Sequence, residues 1–273
     1  MNRINGQPYS NYGFELSKIE GVLDMPSRLG DVFYDWGDYF EPLVHEKDIF
    51  WKERDIKIDV FFDGNRYGMP LSECLNLLKG LPEVFALETK YGMFNVKLKQ
   101  VIKTKGFTEK FAKLKLIFNE NIPSFITDSI GIPTGGDGAT IDNFNFFNDL
   151  GIIVSEAKFI EDIPILKQSN ITVFNTSKPF TENRTLRTVL FSCSIPYSIP
   201  LELRETTDKI KKILSQEGTR EVYYKGRGYS CFLSEGFNVK FYGRGLVKLN
   251  IKLNIATNFI ELGFVESGFI TGG

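Results

Sequence analysis

The chain has 273 residues, of which 42% are hydrophobic and 25% charged, and a formal net charge of -1. This composition describes a globular protein, excludes a disordered one, and supplies no basic field that would ask for nucleic acid. No apolar run approaches the roughly 20 residues that span a bilayer, and "MNRINGQPYS" lacks the apolar core of a secretory signal, so neither a membrane nor an export route is expected.

The first predicted element repeats. "NYGFELSKIEGVLDMP" (11–26) returns as "DLGIIVSEAKFIEDIP" (149–164) at an offset of 138, with Gly13/Gly151, Ser17/Ser155, Asp24/Asp162 and Pro26/Pro164 identical. An internal repeat decides the architecture, so it takes precedence over any motif.

An acidic stretch follows: Asp31, Asp35, Asp38, Glu41 and Asp48, interleaved with Tyr34, Trp36, Tyr39 and Phe40 and closed by Trp51. Paired carboxylates here suit glycoside hydrolysis or Ca²⁺, but the spacing fits no calcium loop. The favoured reading is an insertion loop that docks on a neighbour through Tyr34, Trp36, Tyr39, Phe40 and Trp51, because aromatics bury much area per residue.

"DIKIDVFF" alternates Ile56, Ile58 and Val60 and predicts a strand. "PLSECLNLLKG" spaces Leu71, Cys74, Leu75 and Leu78 as a helix, entered at Pro70 and stopped at Gly80. "EVFALETKYGMF" (83–94) then overlies "EVYYKGRGYSCF" (221–232) at the same offset of 138, through Glu83/Glu221, Val84/Val222, Tyr91/Tyr229 and Phe94/Phe232. "NVKLKQVIKTK" places Val96, Leu98 and Ile102 on one face and Lys97, Lys99, Lys103 and Lys105 on the other. "KLKLIF" closes the first half.

After the Gly/Pro-rich linker the same order returns. "TLRTVLFSCSI" is the counterpart strand, about nine residues out of step with the common offset. "LRETTDKIKKILSQEG" is a helix with Leu203, Ile210, Ile213 and Leu214 as its apolar stripe and Gly218 as its stop. "KLNIKLNI" is the final alternating strand. The expected fold is therefore mainly β (α+β): two tandem β domains, each with one flanking helix. They occupy residues 1–125 and 141–273, with residues 126–140 as the linker.

Chemistry is scarce. His45 is the sole histidine, in a loop without a counterpart in the second copy. Cys74, Cys193 and Cys231 are odd in number, far apart and without a CxxC spacing, which predicts a reducing compartment and neither disulfides nor a thiolate metal site. "PTGGDG", "KGRGYS" and "YGRG" do not lead from a strand into a helix and are expected as turns rather than phosphate loops. No catalytic residue, cofactor or metal is expected.

"INGQPYSNYGFELSKIEGVLDMPSRLG", "ERDIKIDVFFDG", the helix "LSECLNLL" and "FTEKFAKLKLIF", in this order, resemble the N-terminal domain of distal tail proteins of long-tailed bacteriophages. The resemblance implies a β-barrel or sandwich akin to the tail-tube subunit, without catalytic residues, building rings at the tail tip. The second half departs from that family, which continues into a galectin-like domain. Two tube-like copies are instead similar to baseplate hub proteins, in which three chains supply six domains. The resemblance thus implies a virion tail protein assembled in the host cytoplasm. Its partners would be itself in a ring (trimer favoured, hexamer the alternative), the tail tube protein and tail tip proteins. DNA would pass through the lumen without specific binding, and the lysine face at Lys97, Lys99, Lys103, Lys105, Lys113 and Lys115 is expected away from that channel. The alternative is a cytoplasmic carbohydrate-binding or enzymatic β-sandwich that uses the acidic aromatic loop 31–51.

Overall fold

The structure is a computed structural model that describes residues 2–36, 40–106, 108–123, 130–158, 166–173, 176–184, 187–243 and 245–258, without the side chains of 40, 166–173, 176–184, 257 and 258. The first half contributes β1 (Arg3–Ile4), β2 (Gln7–Pro8), β3 (Phe14–Glu20), β4 (Phe33–Asp35), β5 (Phe40–Pro42) and β6 (Arg54–Asp63). The single helical turn α1 (Gly64–Tyr67) and the helix α2 (Leu71–Lys79) follow, then β7 (Phe85–Thr89), β8 (Gly92–Lys105) and β9 (Phe111–Glu120). The second half contributes β10 (Thr140–Ile141), β11 (Phe144–Asn145), β12 (Ile153–Lys158), β13 (Leu166–Val173), β14 (Thr176–Arg184) and β15 (Thr188–Pro196). It continues with α3 (Pro200–Ser215), β16 (Arg220–Tyr224), β17 (Arg227–Leu233), β18 (Lys240–Phe241) and β19 (Leu246–Asn258). The protein is mainly β.

Each half forms one large sheet and one separate two-stranded hairpin, β4–β5 in the first and β13–β14 in the second, and all pairings are antiparallel. The first large sheet runs β2-β1-β7-β8-β9-β6-β3, the second β11-β10-β16-β17-β19-β15-β12, with β18 also on β19. Position for position, the strand order is the same. Alternation explains which face turns inward: Ile56, Ile58, Val60 and Phe62 of β6 are fully buried while Phe61 between them is exposed. Leu249, Ile251, Leu253 and Ile255 of β19 are buried in the same way.

The registers locate the repeat more finely than the letters do. Pairing of β3 with β6 skips Ser17, and pairing of β12 with β15 skips Ser155, so both sheets carry a bulge at the identical serine pair 138 residues apart. The second window does not hold that offset. The β7–β8 pairing ends at Thr89↔Gly92 and the β16–β17 pairing at Tyr224↔Arg227, an offset of 135. Leu87 then overlies Val222, Phe94 overlies Tyr229, and Asn119 of β9 overlies Asn254 of β19, all of them buried. The identical Val84 and Val222 are not equivalent, for Val84 is 58% exposed and Val222 is 0% exposed. Ile56 of β6 overlies Val189 of β15 at an offset of 133, so the two strands are five residues out of step with the bulge, not nine. Length differences fall in the connections, where they cost little.

Two expectations within the first half need correction. Bulges after Leu98 and after Lys103 break the alternation of β8, so Val101 pairs with buried Leu116, Ile102 stands opposite Lys115, and Lys103 stands opposite Leu114. The unbroken lysine face does not form. In β17 the corresponding stretch leaves the ladder altogether. Leu98 and Lys105 overlie Leu233 and Lys240 at a common offset of 135, but residues 234–239 swing out between them.

The helices differ as well. α2 buries Leu71, Cys74 and Leu78 and exposes the rest of its surface apart from the half-buried Leu75. α3 starts at Pro200, which suits a first helical position because its missing N–H would be unpaired there anyway. It ends at Ser215, before the expected Gly218 stop, and buries Arg204, Thr207, Asp208 and Lys211 as well as its apolar stripe. Its polar face is covered by the first half. Among the described residues no helix is long and apolar enough to cross a membrane.

Candidate functional site

The densest chemistry lies where the halves meet. The connector from β3 to β6 leaves its own sheet, and Asp24, Met25, Ser27 and Val44 of it lie on the second half. Met25 N–H donates to the Phe237 carbonyl (2.9 Å), and Val239 N–H to Asp24 Oδ1 (2.7 Å). Gly236 N–H donates to Ser27 Oγ (3.1 Å), and Gly218 N–H to the Val44 carbonyl (2.8 Å). The segment 234–239, swung out of its ladder, receives this connector. A Cβ at Gly236 would overlap the Met25 carbonyl oxygen and the Pro26 backbone, so only glycine permits the approach.

Beside this seam α3 presents Arg204, Asp208 and Lys211 on one face, at helical spacings of four and three. Arg204 Nη1 donates to the carbonyls of Tyr91 (2.9 Å) and Met93 (3.3 Å) at the β7–β8 turn. Its guanidinium lies 4.1 Å from the centre of the Phe94 ring, and that of Arg54 lies 5.5 Å from the same ring. Arg54 is a buried ion-pair partner of Glu120 and also donates to the carbonyls of Val22 (3.2 Å) and Asp24 (3.1 Å). Lys211 Nζ pairs with Asp208 Oδ1 at 2.9 Å.

Three cations and three carboxylates, Asp24 included, thus balance in a buried seam, as groups out of water must. Burial pushes the Lys211 ammonium down to about 8 against the opposing pull of Asp208. It lowers Arg204 and raises the Asp24 carboxyl, despite the N–H of Val239 on that carboxylate.

Of the expected contact residues, Trp51 is half-buried against the core. With Arg28, Val44, Leu214 and Phe232 it lines a cavity offering about 10 Å³ to a water molecule's centre, room for roughly one water. Tyr34 and Trp36 stay outside, 52% and 59% exposed, their rings 6.2 Å apart. Trp36 Nε1 donates to Glu41 Oε2 at 2.8 Å, within the β4–β5 hairpin. Phe40 pairs with Asp35 through its backbone, its side chain lying outside the described residues, as does all of Tyr39. The insertion packs on the second half of its own chain, with Phe33 6.4 Å from Phe232.

Sequence reasoning missed Arg204, Asp208 and Lys211. A charged helix stripe reads as a solvated face, and the only cue was that this helix runs longer than the two-turn α2.

His45 is exposed and precedes a short 3-10 turn, where its carbonyl accepts from Asp48 N–H at 2.9 Å. Burial pushes the thiols of Cys74, Cys193 and Cys231 up to about 12, which makes them poor nucleophiles. Among the described residues no cluster of three His, Cys, Asp or Glu side chains suits a metal. "KGRGYS" is a hairpin turn with Lys225 and Gly226 both at positive φ (50° and 76°), as two-residue hairpin loops require. The seam can hold the two β units together.

Compared with known proteins, the chain matches no family, no curated protein and no solved structure.

Proposed function

We propose that the chain is a structural component of a bacteriophage tail. It would be a distal-tail or baseplate-hub subunit whose two halves are tandem tail-tube-like domains, forming a ring that continues the tube and attaches tip proteins. One observation carries the reading: the two sheets share strand order and a bulge at Ser17 and Ser155, and a buried seam joins the two halves. A duplicated β unit held rigidly to its twin is what a ring with two units per chain requires. Ring closure would also cover sheet edges that an isolated unit leaves open. The order of elements and the sequence stretches resembling distal tail proteins give the reading its tail context.

The exposed Tyr34–Trp36 hairpin is assigned to contact with a tail partner, since aromatic tips anchor protein interfaces. DNA would pass through the lumen without sequence recognition. Native mass spectrometry of the purified chain tests the proposal. A closed trimer is expected, six chains per ring would leave only one half of each chain in the tube wall, and a monomer at all concentrations would refute the ring.

A further inference from the structure

We infer that the outer face of α2 and the β16–β17 turn are complementary surfaces that join one copy of this chain to the next. The inference deepens the ring reading and rests on it. The two halves do not contribute the same elements to their shared seam. The first gives its hairpin turn (Thr89–Gly92) and its β3–β6 connector, and the second gives α3 and residues 234–239. An interface between unlike surfaces does not exhaust itself as a two-fold one does. Each half keeps the surface that its twin has used, and repeating the contact yields a ring or a filament.

The unused pair can be named by register. Matching buried positions sets Leu71, Cys74 and Leu78 of α2 on Thr207, Ile210 and Leu214 of α3, at an offset of 136. Ser72 and Leu75 then stand where the fully buried Asp208 and Lys211 stand, with Ser72 exposed and Leu75 half-buried. On the opposite end, Arg187 overlies Arg54 and Gly226 overlies Tyr91 at offsets of 133 and 135. Arg54 and Tyr91 are buried in the seam, whereas Arg187 and Gly226 are exposed, and Tyr223 beside them is 54% exposed. The same positions are covered within the chain and bare at its ends.

The chemistry of the two contacts differs. The internal seam uses the Arg204–Asp208–Lys211 stripe, whereas its α2 counterpart offers Ser72 and Leu75 to a tyrosine-bearing strand. The contact between chains therefore lacks the Asp208–Lys211 pair of the internal one, and the charges it does bring are Glu109 beside Ser72 and Arg187 beside the turn. That difference prevents α3 from exchanging places with α2, since a mispaired half would bury unmatched charges.

Position 227 corresponds to Gly92, where an added Cβ would point straight at the Arg204 guanidinium. Cysteines at position 227 and on the outer face of α2 should accordingly meet across the contact. The test is the double variant Ser72→Cys/Arg227→Cys, oxidised and run on non-reducing gels, together with Tyr223→Glu examined by native mass spectrometry. The three native thiols are buried and give little background. The double variant should form a ladder of covalent dimers and trimers that neither single variant forms. Tyr223→Glu should give monomers whose thermal unfolding matches that of the parent's monomer. Rings that assemble without this ladder, and persist in Tyr223→Glu, would overturn the surface while leaving the ring reading intact. A parent chain that stays monomeric would overturn both.

Discussion

The guanidinium of Arg204 lies 4.1 Å from the centre of the Phe94 ring and caps the carbonyls of Tyr91 and Met93, tying the helix of one half to the hairpin turn of the other. Arg204→Ala removes that tie and leaves two carbonyls and the Asp208 carboxylate short of a donor. The loss of one partner from a buried charge cluster costs about 3–5 kcal/mol. Equilibrium denaturation should show this loss, with the fluorescence of Trp51, which lies on the seam, changing at lower denaturant than in the parent. A change below about 0.5 kcal/mol, the range of ordinary surface substitutions, would place Arg204 outside the cohesion of the halves.

Gly236→Ala introduces a Cβ that overlaps the Met25 carbonyl oxygen. The connector must then lift away from residues 234–239, losing the bonds from Gly236 to Ser27 and from Val239 to Asp24. Limited proteolysis should cleave between residues 21 and 53 faster than in the parent. Unchanged cleavage would show that the connector is held elsewhere.

Lys211 gives stability a pH dependence of definite sign. Its ammonium titrates near 8 in the folded chain and near its ordinary 10.5 when unfolded, so between these values the unfolded state binds more protons. Its contribution to stability therefore rises with pH from about 8 to 10.5. The raised thiols act in the opposite sense above about pH 9, so the comparison belongs between about pH 7.5 and 9. Over that window the parent should gain stability relative to Lys211→Met. Parallel profiles would place Lys211 in contact with water.

Trp51 and Trp36 should separate cleanly. Trp51→Ala empties space between the insertion and α3 and should cost about 2–3 kcal/mol, somewhat less than a fully buried tryptophan. Trp36→Ala, on an exposed hairpin tip, should stay within about 0.5 kcal/mol of the parent. Under the tail assignment, the Trp36 variant should still close rings yet bind the adjoining tail protein more weakly in pull-down. A destabilised Trp36 variant would make the hairpin part of the fold instead of a contact.

Local pattern alone determined much of this protein. Two-residue alternation marked β6, β15 and β19, helical spacing marked α2 and the apolar stripe of α3, and the Ser17/Ser155 window located a bulge common to both sheets. These features depend on neighbours a few residues away, which a sequence displays directly. Only the tertiary structure decided the rest. The identity of Val84 and Val222 was an accident of letters, exposed by the hydrogen-bonded register at the Thr89–Gly92 and Tyr224–Arg227 turns. The lysine face of β8 was undone by two bulges that the alternating letters conceal. The polar stripe Arg204, Asp208 and Lys211 is buried because the other β unit covers it. A charged helix face looks the same in sequence whether water or a folded neighbour satisfies it, since what differs is the dielectric around it and the partners brought from distant parts of the chain.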